Sequence, residues 1–189
     1  MAFVIRPARS DDVATLAAVE RDGDRRFSDT DGVPVGFADT VAPAELEAGV
    51  GDGRLWVAVS VPGRPGDDEG AEDGGGEVVG FALAAVVDGR GHLDQVSVRL
   101  AHQGQGIGRR LVEAVLEWAA AAGFSSVTLC TFGEVGWNRP LYEHLGFAVV
   151  PAWRWTPQLR ARFQRDGALG LDLDRRVVVE RPVGAPTRR

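Results

Sequence analysis

The feature of this sequence that most limits its possible folds is a predicted strand that leads through a glycine-rich turn into a strongly amphipathic helix. The strand covers residues 92–98, the turn is Gln103-Gly-Gln-Gly-Ile-Gly108, and the helix extends to about Ala122. Its apolar residues recur every three to four positions and line one side, which must be covered in the folded chain. These residues are Ile107, Leu111, Val112, Val115, Leu116 and Ala119.

The other elements predict an α/β fold in which helices cover the faces of a mixed sheet. Hairpin strands come first along the chain and helical crossovers come later, so both antiparallel and parallel neighbours are expected. Ser10 is predicted to cap the first helix, and Pro43 to begin the second. The predicted strands are 3–6, 55–61, 78–87, 92–98, 126–131, 147–150 and 175–181, and the predicted helices are 11–21, 43–50, 107–122, 138–145 and 157–165.

Composition argues against several classes of protein. The chain has 189 residues and a mass of 20.1 kDa, which fits one domain. Its single cysteine, Cys130, excludes a disulfide framework and indicates a reducing, cytoplasmic location. A net charge of −6 argues against a nucleic-acid partner, and no apolar run reaches the roughly 18 residues of a membrane span. Residues 62–77 are acidic and almost free of apolar side chains, which predicts a solvated hairpin loop.

The glycine-rich turn has the chemistry of a pyrophosphate-binding site. Amides at a helix start lack internal partners, the helix dipole is positive there, and glycines let a ligand approach the backbone. Arg109 and Arg110 could add charge-assisted hydrogen bonds to phosphate. A P-loop is excluded because the chain has no lysine, and a dinucleotide fingerprint fails because Arg109 occupies its third glycine position. Taken alone, the glycine pattern favours an ordinary strand–helix connection over a phosphate site.

A second motif, Asn138-Arg-Pro-Leu-Tyr-Glu-His-Leu-Gly-Phe147, contains the only asparagine and the only tyrosine of the chain. With Gln103-Gly-Gln-Gly-Ile-Gly108, it resembles the two cofactor motifs of the GNAT N-acetyltransferases, including the helix and strand between them. The resemblance is specific over about residues 92–147 and extends by element order over 3–150. Trp137-Asn138 and Thr131-Phe132 are similar to those of a bacterial subgroup of the family.

The resemblance implies a GNAT fold and transfer of an acetyl group from acetyl-CoA to a primary amine within a ternary complex. The sheet would be mostly antiparallel, with two splayed parallel strands, 92–98 and 126–131, around the pantetheine arm. Residues 1–150 would form the N-acetyltransferase domain, and a helix and strand in 151–189 would complete it before a flexible tail end. The acceptor would be a small-molecule or protein amine, with a possible homodimer and with no nucleic acid, membrane or metal involved.

The resemblance also implies which residues hold acetyl-CoA. Backbone groups of Val96 and Val98 would bind the pantetheine arm, and the Val96 amide would polarise the thioester carbonyl. Asn138 would contact the cofactor arm, although it could instead cap its helix. Tyr142 would protonate the leaving thiolate, since a phenol with a pKa near 10 is protonated at neutral pH, although it could instead serve packing. The pyrophosphate would bind the amides of Gln103, Gly104, Gln105, Gly106, Ile107, Gly108 and Arg109.

The general base has several candidates. In the family a glutamate serves on the fourth strand, and its matched position here is His92. Asp94 is a second candidate, Glu20 on the first helix is a third, and another group or water is the remaining alternative. Strand alternation predicts His92, Asp94, Val96 and Val98 on one face unless a bulge changes the phase. Cys130 is predicted to be a packing residue rather than a nucleophile, and scattered histidines predict no metal site.

The acceptor pocket is predicted to involve residues 21–40, the loop 132–138 and the C-terminal segment. The candidate lining residues are Arg25, Arg26, Phe27, Glu134, Trp137, Trp153 and Trp155. Two functions remain as alternatives to an acetyltransferase. One is a non-catalytic acyl-CoA-binding sensor, and the other is a nucleotide-binding module that uses the same turn.

Overall fold

The computed structural model describes residues 2–27, 40–61 and 76–184, in which seven strands form one sheet with helices on both faces. Residues 62–75 of the acidic loop predicted over 62–77, and the predicted flexible tail end at 185–189, lie outside the described residues. The strands are β1 Ala2–Pro7, β2 Leu55–Val61, β3 Val78–Val87, β4 Arg90–Val98, β5 Ser126–Phe132, β6 Ala148–Val149 and β7 Arg176–Pro182. The helices are α1 Ser10–Asp24, α2 Pro43–Gly51, α3 Ile107–Ala121, α4 Asn138–His144 and α5 Pro157–Ala168.

The strand order is β1-β2-β3-β4-β5-β7-β6, and every neighbouring pair is antiparallel except β4 with β5. The predicted mixed, mostly antiparallel sheet with flanking helices is therefore confirmed. The C-terminal strand β7 is inserted between β5 and β6, so the last element of the chain lies inside the sheet.

Helices α1, α2 and α5 cover one face of the sheet, and α3 and α4 cover the other. On the first face, Leu16 of α1 and Leu46 of α2 pack on Phe81, and Phe163 of α5 packs beside Val178. On the second face, the predicted apolar stripe of α3 is buried against β2–β5: Ile107, Leu111, Val112, Val115, Leu116 and Ala119. Burying each large aliphatic side chain contributes about 1.5–3 kcal/mol, so this stripe holds α3 firmly on the sheet.

Strands β4 and β5 pair over only three positions and then separate. The pairs are Gly91 with Val127, His92 with Thr128, and Leu93 with Leu129. Both strands continue beyond these pairs, to Val98 and Phe132. The gap between them is the splayed arrangement that the family resemblance implied.

A β-bulge at Asp94 changes the phase of β4. Leu83 of β3 pairs with Gln95, whereas the next residue, Ala84, pairs with Leu93, so Asp94 is an extra residue without a partner in the register. Val96 consequently packs with the α3 core, while His92 faces the α5 side and hydrogen-bonds Thr128. The prediction that simple alternation places His92 and Val96 on one face is wrong for this reason.

The first helix is capped differently from the prediction. Its N-cap is Arg9 rather than Ser10, which is already helical. The Asp12 carboxylate accepts the Arg9 backbone N–H at 2.7 Å and also binds the Arg6 guanidinium at 2.7 and 2.9 Å. A carboxylate near the positive end of the helix dipole supplies the stabilisation that a serine hydroxyl was expected to give.

Candidate active site

A cavity of about 520 Å³ lies where β4 and β5 separate. Both strands line it, and so do α4 from one face of the sheet and α1 and α5 from the other. The wall near α4 includes Asn138 and Tyr142. The walls from α1 and α5 carry most of the charged side chains: Glu20, Asp24, Arg162, Arg165 and Asp166. The cavity therefore has a largely neutral side and a charged side, with the separated strands between them.

Tyr142 is a buried residue that lines the cavity. The ring packs edge-on against Phe147, with centroids 5.8 Å apart, and the residue is 7% exposed. Within the described residues its hydroxyl makes no hydrogen bond. Burial raises the pKa of Tyr142 to about 12, so the phenol is protonated at neutral pH. The side chain can donate a hydrogen bond or a proton to a group inside the cavity.

Asn138 is the first residue of α4 and does not cap it, because Trp137 is the N-cap and makes no side-chain capping bond. The Asn138 carbonyl accepts a hydrogen bond from the Thr131 hydroxyl of β5. Its amide nitrogen has no partner in the described part of the chain, and the residue lines the cavity. The alternative role as a helix cap is therefore wrong, and the N–H groups are available to a ligand.

The turn before α3 has the backbone that its glycines permit. Gly104 and Gly106 have φ angles of +75° and +83°, in the left-handed region where other residues are strained. A Cβ at either position would meet no atom within 4 Å, so open space lies beside both. None of the amides from Gly104 to Arg109 donates to another group of the described chain. These features fit an anion such as a pyrophosphate at the start of α3.

The side chain of Gln103 holds this turn in place. Its amide nitrogen donates to the carbonyl of Val98 at 2.8 Å and to that of Gly23 at 3.3 Å, and its oxygen accepts from Arg26 at 3.1 Å. The backbone N–H of Gln103 donates a hydrogen bond to the Leu100 carbonyl at 3.3 Å. Gln103 thus joins the end of β4 to the end of α1. The Val98 carbonyl, expected to bind the pantetheine arm, is occupied by this contact.

The Val96 amide is also occupied within the protein. It donates to the side-chain oxygen of Gln95 at 3.0 Å, and the Gln95 amide nitrogen donates to Glu20. A ligand carbonyl that binds the Val96 N–H must displace Gln95. Sequence reasoning missed Gln95 because its role depends on the bulge that precedes it.

Two carboxyl groups of α1 lie one helical turn apart in the cavity wall. Glu20 is 3% exposed and accepts from Gln95 and from the Val41 backbone N–H at 2.9 Å. Burial raises the pKa of Glu20, although these two hydrogen bonds act to lower it. Asp24 has no hydrogen bond or ion pair within the described residues, and burial together with the Glu20 charge raises its pKa to about 7. Asp24 was missed because an aspartate at a helix end carries no distinctive signal in a single sequence.

The two bases predicted on β4 both bind other protein groups. His92 is 2% exposed, and its Nδ1 lies 2.8 Å from the Thr128 hydroxyl. Burial, assisted by the charge of Arg162, lowers the pKa of His92 to about 3. Asp94 binds Arg162 at 2.7 Å, and burial raises its pKa to about 6. Both residues line the cavity, so a ligand that binds either of them must compete with its partner in the protein.

Cys130 is half-buried beside α5, and burial raises the pKa of its thiol to about 12. A nucleophilic cysteine needs the thiolate form, which is therefore disfavoured at neutral pH. This property fits the predicted packing role.

Over residues 2–27, 40–61 and 76–184, no group of three or more His, Cys, Asp or Glu side chains is placed to hold a metal ion. Within the same ranges, no helix is both long and apolar enough to cross a bilayer.

Only some of the residues predicted to line the acceptor pocket lie at the cavity. Phe27 lines the cavity, and Trp137 packs on it with centroids 4.9 Å apart, under the Arg26 guanidinium. The prediction is wrong for Trp153, which is 83% exposed, and for Trp155, which packs on Phe163 in the core under α5. Arg25 and Glu134 do not line the cavity either.

Comparisons with known proteins agree with this geometry. Residues 65–147 match the profile of the Acetyltransferase (GNAT) family. The chain is 38% identical over 102 residues to rat N-acetyltransferase family 8 member 2, a match that covers 50% of this chain and 38% of the rat protein. It therefore spans about two fifths of the length of this curated relative.

Solved structures of acetyltransferases share the fold over nearly the whole chain. N-acetylglutamate synthase from Neisseria gonorrhoeae, complexed with coenzyme A and N-acetyl-glutamate, superposes with a TM-score of 0.67 at 16% identity, over 97% of this chain and 36% of that one. PaiA N-acetyltransferase from Thermoplasma acidophilum, in complex with coenzyme A, gives 0.63 at 12% identity, over 96% and 99%. At these identities the likeness establishes the fold.

Proposed function

We propose that this chain is an acetyl-CoA-dependent N-acetyltransferase of the GNAT family that acetylates a primary amine by direct attack in a ternary complex. One observation carries the proposal. The gap between β4 and β5 opens into a cavity that has Tyr142 and Asn138 in one wall and ionisable residues in another. Such a cavity accommodates a thioester and an amine from different sides of one sheet.

The residues around the gap fit acetyl-CoA, which would supply the activated acetyl group. The amides of Gly104, Gln105, Gly106, Ile107, Gly108 and Arg109 would hold the pyrophosphate, with Gln103 supporting the turn from behind. The Arg109 side chain binds Glu113 at 2.8 Å and would add to the site only by exchanging that partner. Asn138 would donate to the pantetheine arm, as would backbone groups of Val96 and Val98 once their present partners move.

Each catalytic step has a group suited to it. The Val96 N–H stabilises negative charge on the thioester oxygen after Gln95 is displaced. Tyr142 donates a proton to the departing sulfur, for which its protonated state at neutral pH is required. His92 and Asp94 stay candidates for the base. The low pKa of His92 makes it a weak proton acceptor, and the Asp94 carboxylate must leave its ion pair with Arg162 before it can serve.

The acceptor class and setting are part of the proposal. A small-molecule or protein amine is expected, and a cytoplasmic, bacterial protein is indicated by the single cysteine and by the motif resemblance. A homodimer is compatible with the exposed sheet edge at β6, where Val149 is 44% exposed.

Thiol release from acetyl-CoA, measured with a panel of primary amines and with short peptides bearing free N-termini, tests the proposal. Turnover with at least one amine is expected, together with calorimetric binding of CoA. The engagement of both predicted bases by protein groups favours one alternative, a non-catalytic acyl-CoA sensor. CoA binding without turnover on any amine would establish that alternative, and absence of CoA binding would overturn both.

A further inference from the structure

Five proton acceptors line the cavity, and all but one of them bind another protein group. Glu20, His92 and Asp94 have the partners described above, and Asp166 binds Arg176 at 2.7 Å. Asp24 is the exception within the described residues. It is the last residue of α1, and it lines the cavity.

A half-buried carboxyl group without a partner is unfavourable in a folded protein, because its charged form loses hydration and gains nothing in return. Groups kept in such a state are concentrated at functional sites, where a shifted pKa serves proton transfer. Since Tyr142 lines the same cavity, the site contains an acid and a base whose pKa values are well separated.

We infer that Asp24 is the general base of this enzyme: it binds the ammonium group of the acceptor and removes its proton. This inference rests on the proposed acetyltransferase function. It differs from the expectation of a base on β4, and it assigns the acceptor to the α1 side of the sheet.

The proton transfers balance as follows. An Asp24 oxygen takes one proton from the acceptor ammonium and later releases it to solvent. The neutral amine then forms the C–N bond as the C–S bond breaks. Tyr142 donates its proton to the sulfur. The nitrogen then loses its second proton, which returns to the Tyr142 oxygen. The overall reaction converts an ammonium and a thioester into an amide, a thiol and one solvent proton.

The charges that face Asp24 come from every wall of the cavity. Burial is the main cause that raises the pKa of Asp24 to about 7, and the Glu20 carboxylate one turn earlier adds to it. A base of this strength accepts protons efficiently near neutral pH. The other titratable or charged groups of the cavity are His92 and Asp94 on β4, Cys130 on β5, Tyr142 on α4, Arg162, Arg165 and Asp166 on α5, and Arg176 on β7.

The first test is the pH dependence of kcat/KM, with the most active amine of the panel, for the wild type and for Asp24→Asn. The wild type should show an ascending limb centred near pH 7. Asp24→Asn should lack this limb. Its kcat/KM should be lower than that of the wild type on the order of 10²-fold at pH 7.5 and should rise about tenfold per pH unit toward the pKa of the amine near 10. Glu20→Gln should move the wild-type limb to lower pH, because it removes a like charge. Asp11→Asn, which removes an exposed carboxylate from the same helix, is the matched control.

The second test needs no substrate. Because the folded-state pKa of Asp24 lies above its unfolded value of 3.8, ionisation favours the unfolded chain between about pH 4 and pH 7. The Tm of Asp24→Asn should therefore exceed that of the wild type by a margin that grows over this range and is constant above it. CoA binding should be unchanged.

The outcomes separate the two claims. Wild-type enzyme without turnover overturns the proposed function. Turnover with an unaltered pH profile in Asp24→Asn, or a Tm difference that does not grow with pH, overturns the assignment of Asp24 while the proposed function stands. Loss of the limb together with the growing Tm difference supports both.

Discussion

Single side chains in the cavity divide into those held by the protein and those left free for a ligand. Among the described residues that line the cavity, the free groups include the Tyr142 hydroxyl, the Asn138 amide nitrogen and the Asp24 carboxyl group. The Nε of Arg162 is also without a partner within the described ranges, although the terminal nitrogen of this guanidinium binds Asp94. Each would cost free energy in an inert core, since buried polar groups are normally hydrogen-bonded. Their free state fits the proposed function, in which acetyl-CoA and the acceptor would supply the missing partners.

Tyr142→Phe isolates the hydroxyl from the ring. The ring contact with Phe147 is retained, so we expect a Tm close to that of the wild type. The kcat should fall on the order of 10²-fold, because protonation of the leaving sulfur is lost. Steady-state thiol release and a thermal melt measure the two effects, and a wild-type kcat would remove Tyr142 from the mechanism.

Gln95→Ala tests whether the Val96 N–H binds the thioester carbonyl. The substitution removes the internal acceptor at 3.0 Å, so a ligand no longer has to displace it. Acetyl-CoA should bind about 2- to 10-fold more tightly, as expected for one neutral hydrogen bond. Calorimetry with CoA serves as the control, because CoA lacks the acetyl carbonyl and should show no gain. An equal gain for both ligands would contradict the role of Val96.

At the scale of elements, the start of α3 and the gap between β4 and β5 are both departures from regular structure. Left-handed glycines leave the amides before α3 unpaired, and the bulge at Asp94 marks the point where the strands separate. Each irregularity exposes backbone groups that an ideal helix or sheet would have satisfied. The site is therefore built from backbone as much as from side chains.

Gly106→Ala and Gly123→Ala form a matched pair at the two ends of α3. Their φ angles are +83° and +79°, and a Cβ at either position meets no atom within 4 Å. Both variants should lose about 1–2 kcal/mol of unfolding free energy, the cost of a left-handed residue with a side chain. Only Gly106→Ala should weaken CoA binding measured by calorimetry. Equal CoA affinity in the two variants would place the pyrophosphate elsewhere.

Across the whole molecule, the C-terminal segment completes both the sheet and the cavity. Strand β7 pairs with β5 and β6, and α5 brings Arg162 and Arg165 to the cavity wall. The Asp166–Arg176 pair fixes α5 to β7, with side chains only 18% and 11% exposed. The shape of the cavity thus depends on residues far along the chain from both cofactor motifs.

Asp166→Ala should destabilise the whole fold, because it leaves the Arg176 guanidinium buried without its carboxylate. We expect a loss of about 3 kcal/mol in unfolding free energy measured with urea. Glu143→Ala breaks an ion pair of similar length, 2.6 Å with Arg139, but on the surface, and should cost at most about 1 kcal/mol. Comparable losses in the two variants would show that burial does not determine the strength of the Asp166 pair.

The sequence predicted the secondary-structure elements better than the contacts between side chains. The bounds of β2 and β3, the apolar stripe of α3 and the start of α2 at Pro43 follow from periodicity and from single strong signals. The N-cap of α1 did not, because Asp12 offered an acceptor equal to Ser10 and only the geometry of Arg6 and Arg9 decides between them. Trp153 and Trp155 gave no local signal to distinguish an exposed side chain from a core one.

The order of the elements, the glycine turn and the two motif residues Asn138 and Tyr142 can be identified from the sequence, because they depend on residues close together in the chain. Which cavity groups are free and which are bound follows from packing. That distinction depends on burial and on partners brought from α1, α5 and β7, and these long-range contacts have no local trace in the chain. The unpaired carboxyl group of Asp24 exists as a feature only once those elements have packed.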